Sequence, residues 1–436
     1  MSWPVYPKYK ETAGSGSIPD HWQVSKLRHL LKVNPSVPES LRSDGNEMVT
    51  FLPMEAIGED GTLDTTRERP IRELLTGYSY FANGDVIMAK VTPCFENGKA
   101  AVIETLPTTD GFGTSEVTTL RPGSGLDQRF LGYLVRSDRF RQSSIAAMTG
   151  AGGLKRVPDE HVRSFHIGHP SVAEQYGIVD FLDRETAKID ALIAKQEQLI
   201  ITLREDRAAT ITQAVTKGLD PNVEMKDCGS GFPAIPAHWQ VQPLKRLGRL
   251  ITGGTPATGS EGNYASSGEG FPWFRPEDLD ITGHPSAASK FISDSGLASV
   301  PRLSAPSVHV VSIGATLGKV GYVDVDSSSN QQITAVVGAD CPRYTYFALV
   351  ASYERIWASS MGNTLPIISA GRLGTVRLPV PPTNEQASIA DYLDTRCARI
   401  DALIAKSMEM IETLREYRSA LITDAVTGKI DVRGVA

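Results

Sequence analysis

The sequence predicts a mixed α/β (α+β) chain. Two globular blocks are joined by two long antiparallel helices that form a coiled-coil-like spacer, pseudo-two-fold and circularly organised. Three observations carry this expectation. KIDALIAKQEQLIITLRE, beginning at Lys188, returns as RIDALIAKSMEMIETLRE, beginning at Arg399. A shorter echo precedes each copy, IPDHWQVSKLRHL from Ile18 and IPAHWQVQPLKRLGRL from Ile235. The stretches that follow the echoes, 31–169 and 251–380, look unrelated to each other over most of their length.

About half the positions of 170–220 recur at a constant offset in 381–431, far above what an accidental internal match gives. The 436 residues therefore divide into a first block (1–169), a central long helix (170–220), a second block (221–380) and a C-terminal long helix (381–436). In the first helix Leu182, Ile189, Gln196 and Leu203 recur at heptad steps, as do Leu393, Ile400, Ser407 and Leu414 in the second. Leu192, Ile193, Leu199 and Ile200, with Leu403, Ile404, Met410 and Ile411, widen the stripe beyond a minimal two-stranded seam. These apolar residues are the expected helix–helix or partner interface. Ser171 with Glu174 and Thr383 with Gln386 have capping-box spacing, and Gly218 and Gly428 mark the ends. A helix of about 40 residues is about 60 Å long, too long for a small domain to hide. Two such helices most economically pack on each other, with the blocks at opposite ends. AVTGKID near the C-terminus matches the AVTKGLD that leads into the second echo, so the two termini are expected to lie close together. A circular permutant opened near Asn222 is then expected to fold.

Composition excludes several classes. The hydrophobic content of 41% and charged content of 22% are those of a globular chain. No apolar run approaches the roughly 18 residues of a membrane span, and MSWPVYPKYK lacks the order of a signal peptide. Cys94, Cys228, Cys341 and Cys397 are scattered, which favours a reducing cytoplasm over a disulfide framework or a zinc site. Nearly all of the net charge of −6 lies in the repeated stretches, so any nucleic-acid contact must use local patches or a basic partner. Phosphate-loop, dinucleotide, zincin and nucleophile-elbow motifs are all missing. The amino-methyltransferase Asn/Asp-Pro-Pro-Tyr/Phe string is missing too, and the chain reads as non-catalytic and metal-free.

The blocks do carry turns and isolated polar side chains on strands. YFANGDVIMAKVTPCFENGKAAVIE alternates around Lys90 and Lys99, with turns at Asn83-Gly84 and Asn97-Gly98. GFGTSEVTTLRP follows, then RFLGYLVRSDRFRQ, a basic helix, and TGAGGLKRV, a loop whose amides suit a phosphate. ITGGTPATG, PWFRPEDL, SIGATLGKVGYV and SNQQIT take similar places in the second block. Arg, Lys, Asn and Gln read base edges, and hydroxyls and glycine amides grip phosphates. On that chemistry the candidate DNA-binding residues are Lys90, Asn97, Lys99, Lys155 and Arg156 in the first block. In the second they are Thr255, Trp273, Arg275, Lys319, Asn330 and Gln331.

This plan resembles the specificity subunit of Type I restriction-modification systems. IP-x-HW-x-V stands before each block, EQ-x-x-I-x-x-[FY]LD opens each helix and L-R-E-x-R…I-T-x-A-V-T closes it. The resemblance covers nearly the whole chain. It implies two target-recognition domains, each binding one half of an asymmetric bipartite site in double-stranded DNA, with the helices setting the gap. It further implies two docked modification (methyltransferase) subunits that bring S-adenosylmethionine, and restriction subunits that use ATP with Mg, no cofactor being bound by this chain. Two other readings are a recognition-plus-methyltransferase enzyme and a coiled-coil adaptor with protein-binding heads.

Overall fold

The computed structural model describes residues 3–42, 45–151, 153–229, 234–257, 261–266, 268–362 and 364–434. It is mixed α/β and separates into two units, Met1–Lys195 with Met410–Ala436, and Gln196–Glu409. Each unit holds one head and a stretch of both long helices.

The repeated segments form continuous helices, Val172–Lys217 and Thr383–Val426. Ser171 caps the first, its hydroxyl accepting from the Glu174 amide at 3.4 Å. The second begins one residue earlier than the capping-box spacing suggests. Thr383 is already helical, and the Pro382 carbonyl takes the amides of Glu385 and Gln386. Antiparallel pairing is visible inside each unit. In the first, Arg418 pairs with Asp190 at 2.9 Å, and Ile178–Leu182 share a core with Leu421–Val426. In the second, Arg207 pairs with Asp401 at 3.1 Å, and Ile211–Val215 share a core with Ile389–Cys397.

The seam is narrower than the sequence suggested. Leu182, Ile189, Ile200, Leu393, Ile400, Ser407 and Ile411 are buried, and Ile193, Leu203, Ile404 and Leu414 are half-buried. Leu192, Leu199, Leu403 and Met410 were expected in the same stripe, yet they are 47%, 44%, 48% and 47% exposed. Steps of alternating three and four residues from Ile189 and from Leu393 keep one edge inward, and these four lie one position off it.

The heads, dissimilar in sequence, share one frame. In the first, an antiparallel sheet runs Leu31–Val33, Val117–Pro122, Val86–Ala89, Ala100–Val102. In the second, the same order is Arg249–Thr252, Ile333–Val337, Ser307–Val311, Val320–Val323. Each head adds a second sheet with one parallel pair, Thr50–Leu52 beside Gly111–Gly113 and Trp273-Phe274 beside Ser328-Ser329. The predicted basic helix is two helices, Gln128–Arg136 and Asp138–Ala146. They break at extended Ser137, whose hydroxyl caps the second.

The two echoes have a common structural role. Gln23–Lys26 pairs with His166–His169, and Gln240–Pro243 with Arg377–Val380, so each echo closes onto the strand that leads into a long helix. Buried Trp22 and Trp239 then donate their indole N–H to Glu174 (3.2 Å) and Glu385 (3.0 Å) in the first helical turns. His21 and His238 reach the same carboxylates at 2.9 and 2.8 Å. The following glutamines fasten the same corner, with Gln175 donating to the Pro170 carbonyl and Gln386 to the Pro381 carbonyl. A carboxylate in a first helical turn is also favoured by the helix dipole. The termini meet as expected, the Asp431 amide donating to the Pro4 carbonyl at 2.8 Å.

Candidate nucleic-acid interface

Equivalent backbone bonds align the heads residue by residue. Thr114 donates its amide to Leu52, and Asn330 does so to Phe274. The Thr114 hydroxyl then accepts from the Glu116 amide at 2.9 Å, as the Asn330 carboxamide oxygen accepts from Gln332 at 3.1 Å. The Lys90 amide donates to Glu116, and the Ser312 amide to Gln332. On the other side of that segment, Val157 donates to Lys90 and Ile368 to Ser312. Each head thus presents three adjacent backbone segments, 114–116, 90–92 and 154–157 in the first, and 330–332, 312–314 and 366–368 in the second.

The outer segment belongs to a projecting hairpin. TGAGGLKRV, expected as a loop, forms a two-stranded ribbon, Thr149–Ala151 with Leu154–Arg156, and every residue of both strands is exposed. Its counterpart is the bridge between Met361 and Ile367. Leu154 and Leu365 occupy equivalent places, 66% and 52% exposed. Gly152, within the first of these motifs, and the Thr258-Gly259 end of ITGGTPATG lie outside the described residues.

The structure brings Lys90, Lys155 and Arg156 together. The Thr92 amide donates to the Lys155 carbonyl at 3.1 Å, and Arg156 bridges Val91. Asn97 lies exposed in the turn that follows. Lys99 and Lys319 prove to be equivalent to each other. Their ammonium groups donate to the Met54 carbonyl at 3.0 Å and the Pro276 carbonyl at 2.8 Å, fastening the 3-10 turn after the parallel strand. In the second head Thr255, Trp273, Asn330 and Gln331 converge. Thr255 donates to Gln331, the buried Trp273 indole donates to the Gly254 carbonyl at 3.0 Å, and buried Asn330 donates to Gln332 at 2.9 Å. Gly253 is required there, because a Cβ would lie 2.3 Å from the carbonyl oxygens of Ser329 and Asn330. Arg275 stands apart, held by Glu277 at 2.7 Å and Ser289 at 2.9 Å. Thr255 and Gln331 are therefore the exposed polar side chains of that group, whereas Trp273, Asn330 and Arg275 are engaged in holding the loop.

The arginines of the predicted basic helix are likewise engaged within the chain. Arg129 meets Asp180 and Asp183 of the first long helix, both at 2.9 Å. Arg136 donates to the Asp60 carbonyl, Arg139 to the Gly14 carbonyl and Arg141 to the Glu96 carbonyl. Tyr133 also donates to Asp183 at 2.6 Å, and burial together with that carboxylate pushes its pKa up to about 12. In the second unit Arg343 takes Asp394, the matching aspartate of the repeat, while lying over Tyr322, Tyr346 and Phe347. Each long helix thus holds its head through one aspartate of the F/Y-L-D motif.

The three-segment edge also carries Ser115, Glu116 and Gln332, which the sequence had not singled out. The available signal was that TSE and NQQ each stand immediately before a buried strand, Val117–Pro122 and Ile333–Val337. Among the described residues no His/Cys/Asp/Glu group could hold a metal, and no helix is long and apolar enough to cross a membrane.

Residues 236–413 match the model of the Type I restriction modification DNA specificity domain. The chain is 34% identical over 177 residues to the Type I restriction enzyme EcoAI specificity subunit of Escherichia coli, covering 40% of this chain and 29% of that one. The chain thus spans under a third of that curated relative. Against the putative type I restriction enzyme MjaX specificity subunit of Methanocaldococcus jannaschii it is 22% identical, covering 96% of each chain. A chain solved in a study of complex assembly and conformational transition of the type I R-M system superposes with a TM-score of 0.78 at 18% identity. That superposition covers 95% of this chain and 99% of the other, and it supports the fold. Residues 236–413 thus match a Type I restriction modification DNA specificity domain, and the chain with its repeated helices and two like heads is similar to Type I restriction enzyme specificity subunits.

Proposed function

We propose that this chain is a non-catalytic DNA specificity subunit whose two heads each read one half of an asymmetric bipartite site in double-stranded DNA. The long helices set the unread gap and dock two modification subunits. Those subunits carry S-adenosylmethionine and methylate adenine, while restriction subunits supply ATP- and Mg-dependent cleavage. The observation that carries the reading is the shared frame. Backbone bonds are duplicated between the heads, while the side chains displayed on the three-segment edge differ. That is what two readers of different sequences on one scaffold require, because backbone contacts position and side chains specify. Leu192 and Leu199 on one helix, and Leu403 and Met410 on the other, supply repeated exposed apolar positions suited to two copies of one partner.

The test is to exchange 31–169 for the head of another specificity subunit and map methylated adenines produced by the reconstituted complex. One half-site changes and the other stays. A change in both half-sites overturns modular reading, and methyl transfer by the purified chain alone overturns the non-catalytic assignment.

A further inference from the structure

Glu116 and Gln332 occupy the same position in the two heads. Each gives its carbonyl to the amide of the neighbouring segment, Lys90 or Ser312, and each receives its predecessor's cap from Thr114 or Asn330. The two side chains have the same shape and differ only in one terminal group, a carboxylate oxygen against an amide nitrogen. Both are half-buried at the root of the projecting hairpin. Among the described residues the Glu116 carboxylate forms no hydrogen bond or ion pair, although Lys90, Lys155 and Arg156 stand on the adjoining segments. A carboxylate left unpaired on a surface that meets a polyanion is repelled by it unless the nucleic acid supplies donors. The Gln332 amide is oriented by Asn330, whose Nδ2 donates to its Oε1 at 2.9 Å. Its NH2 donors and a second lone pair on the oxygen remain for a ligand.

We infer that this position is a specificity determinant in each head: Glu116 accepts from the exocyclic amino group of cytosine, and Gln332 makes a paired contact to the N6/N7 edge of adenine. The inference rests on the DNA-reading function proposed above and assigns its chemistry. An acceptor-only side chain selects the N4 donor of cytosine, whereas an amide matches the donor and acceptor of adenine in the major groove. The exposed lysine and arginine of the first hairpin then neutralise flanking phosphates without reading sequence.

The near-isosteric pair provides the experiment. The complete complex is reconstituted with the parent chain, Glu116→Gln, Glu116→Ala and Gln332→Glu, and methylated sites are mapped on a randomised duplex library. Circular dichroism of each variant confirms the fold. Glu116→Ala is expected to lose roughly 5- to 150-fold discrimination at a single base pair of the first half-site. Glu116→Gln moves the preference at that same base pair from cytosine to adenine. Gln332→Glu moves one position of the second half-site in the opposite sense. If the variants give the parental site, or change positions in both half-sites, the assignment of this position is wrong, and the exchange of 31–169 still stands as the independent test of head function. If the parent complex itself shows no sequence preference, the DNA-reading function falls and the assignment with it.

Discussion

Removing Glu174 should selectively loosen the corner where the first echo meets the first long helix. Its Oε1 accepts from the Trp22 indole at 3.2 Å and from the Tyr6 hydroxyl at 2.7 Å, and those residues are 1% and 2% exposed. Glu174→Ala leaves both donors without an acceptor. An unpaired buried donor costs about 1–3 kcal/mol, so the two together cost about 2–6 kcal/mol. The contact with His21, a side chain 46% exposed, is screened by water and adds little. Loss of a negative charge from the first helical turn adds a few tenths of a kcal/mol. Glu174→Gln, with its amide oxygen in the Oε1 place, keeps an acceptor for both donors and should lose well under half as much. Native-state hydrogen exchange reads this locally. Opening free energies should fall by the stated amount at the amides of 22–26 and 172–182, with the mirror residues 239–243 unaffected. Glu385→Ala should produce the reciprocal pattern with a smaller loss, because no tyrosine joins that carboxylate. Unchanged protection around Trp22 in Glu174→Ala, or an equal loss at both corners, would refute the reasoning.

Two further outcomes follow from burial. His309 is fully buried, its Nε2 3.2 Å from Ser307 and its ring edge-on to Phe274, and burial pushes its pKa from 6.5 down to about 3. Below pH 6.5 the unfolded chain takes up a proton that the folded chain refuses. Its contribution is therefore fully present above pH 6.5 and is lost as pH falls toward 3. At pH 5 the loss is about 2 kcal/mol, at ~1.36 kcal/mol per unit. Urea titrations at pH 7 and pH 5 should show that slope, and His309→Leu should remove its share; an unchanged slope in the variant counts against the account. Leu192→Ser with Leu403→Ser should alter folding stability by no more than about 0.5 kcal/mol, since both side chains are exposed. The same double substitution should weaken co-elution with the modification subunits on size exclusion, and undiminished co-elution would remove these residues from the docking surface.

The sequence by itself determined the features whose information is local or repeated. Heptad spacing marked both long helices, because burial of one face imposes a period on side chains wherever the helix lies. The recurrence of IP-x-HW and E-Q announced that the two corners are alike, though the contact of Trp22 with Glu174 spans a sequence separation that no spacing rule reveals. Turns at Asn83-Gly84 and Asn97-Gly98 were legible because both glycines adopt positive φ, 91° and 82°. Tertiary structure alone decided which polar residues remain available. Lys99 and Lys319 were chosen for their charge, but a carbonyl from a distant turn meets each ammonium. Trp273 was a candidate DNA contact, but it is buried and its indole donates to the Gly254 carbonyl. It also decided that the heads are one fold. Their frame is written in backbone hydrogen bonds, which many side chains satisfy equally, so sequence likeness faded while the register held. Glu116 and Gln332 escaped notice for that reason: their equivalence lies in where their carbonyls point, a property set by the strands beside them.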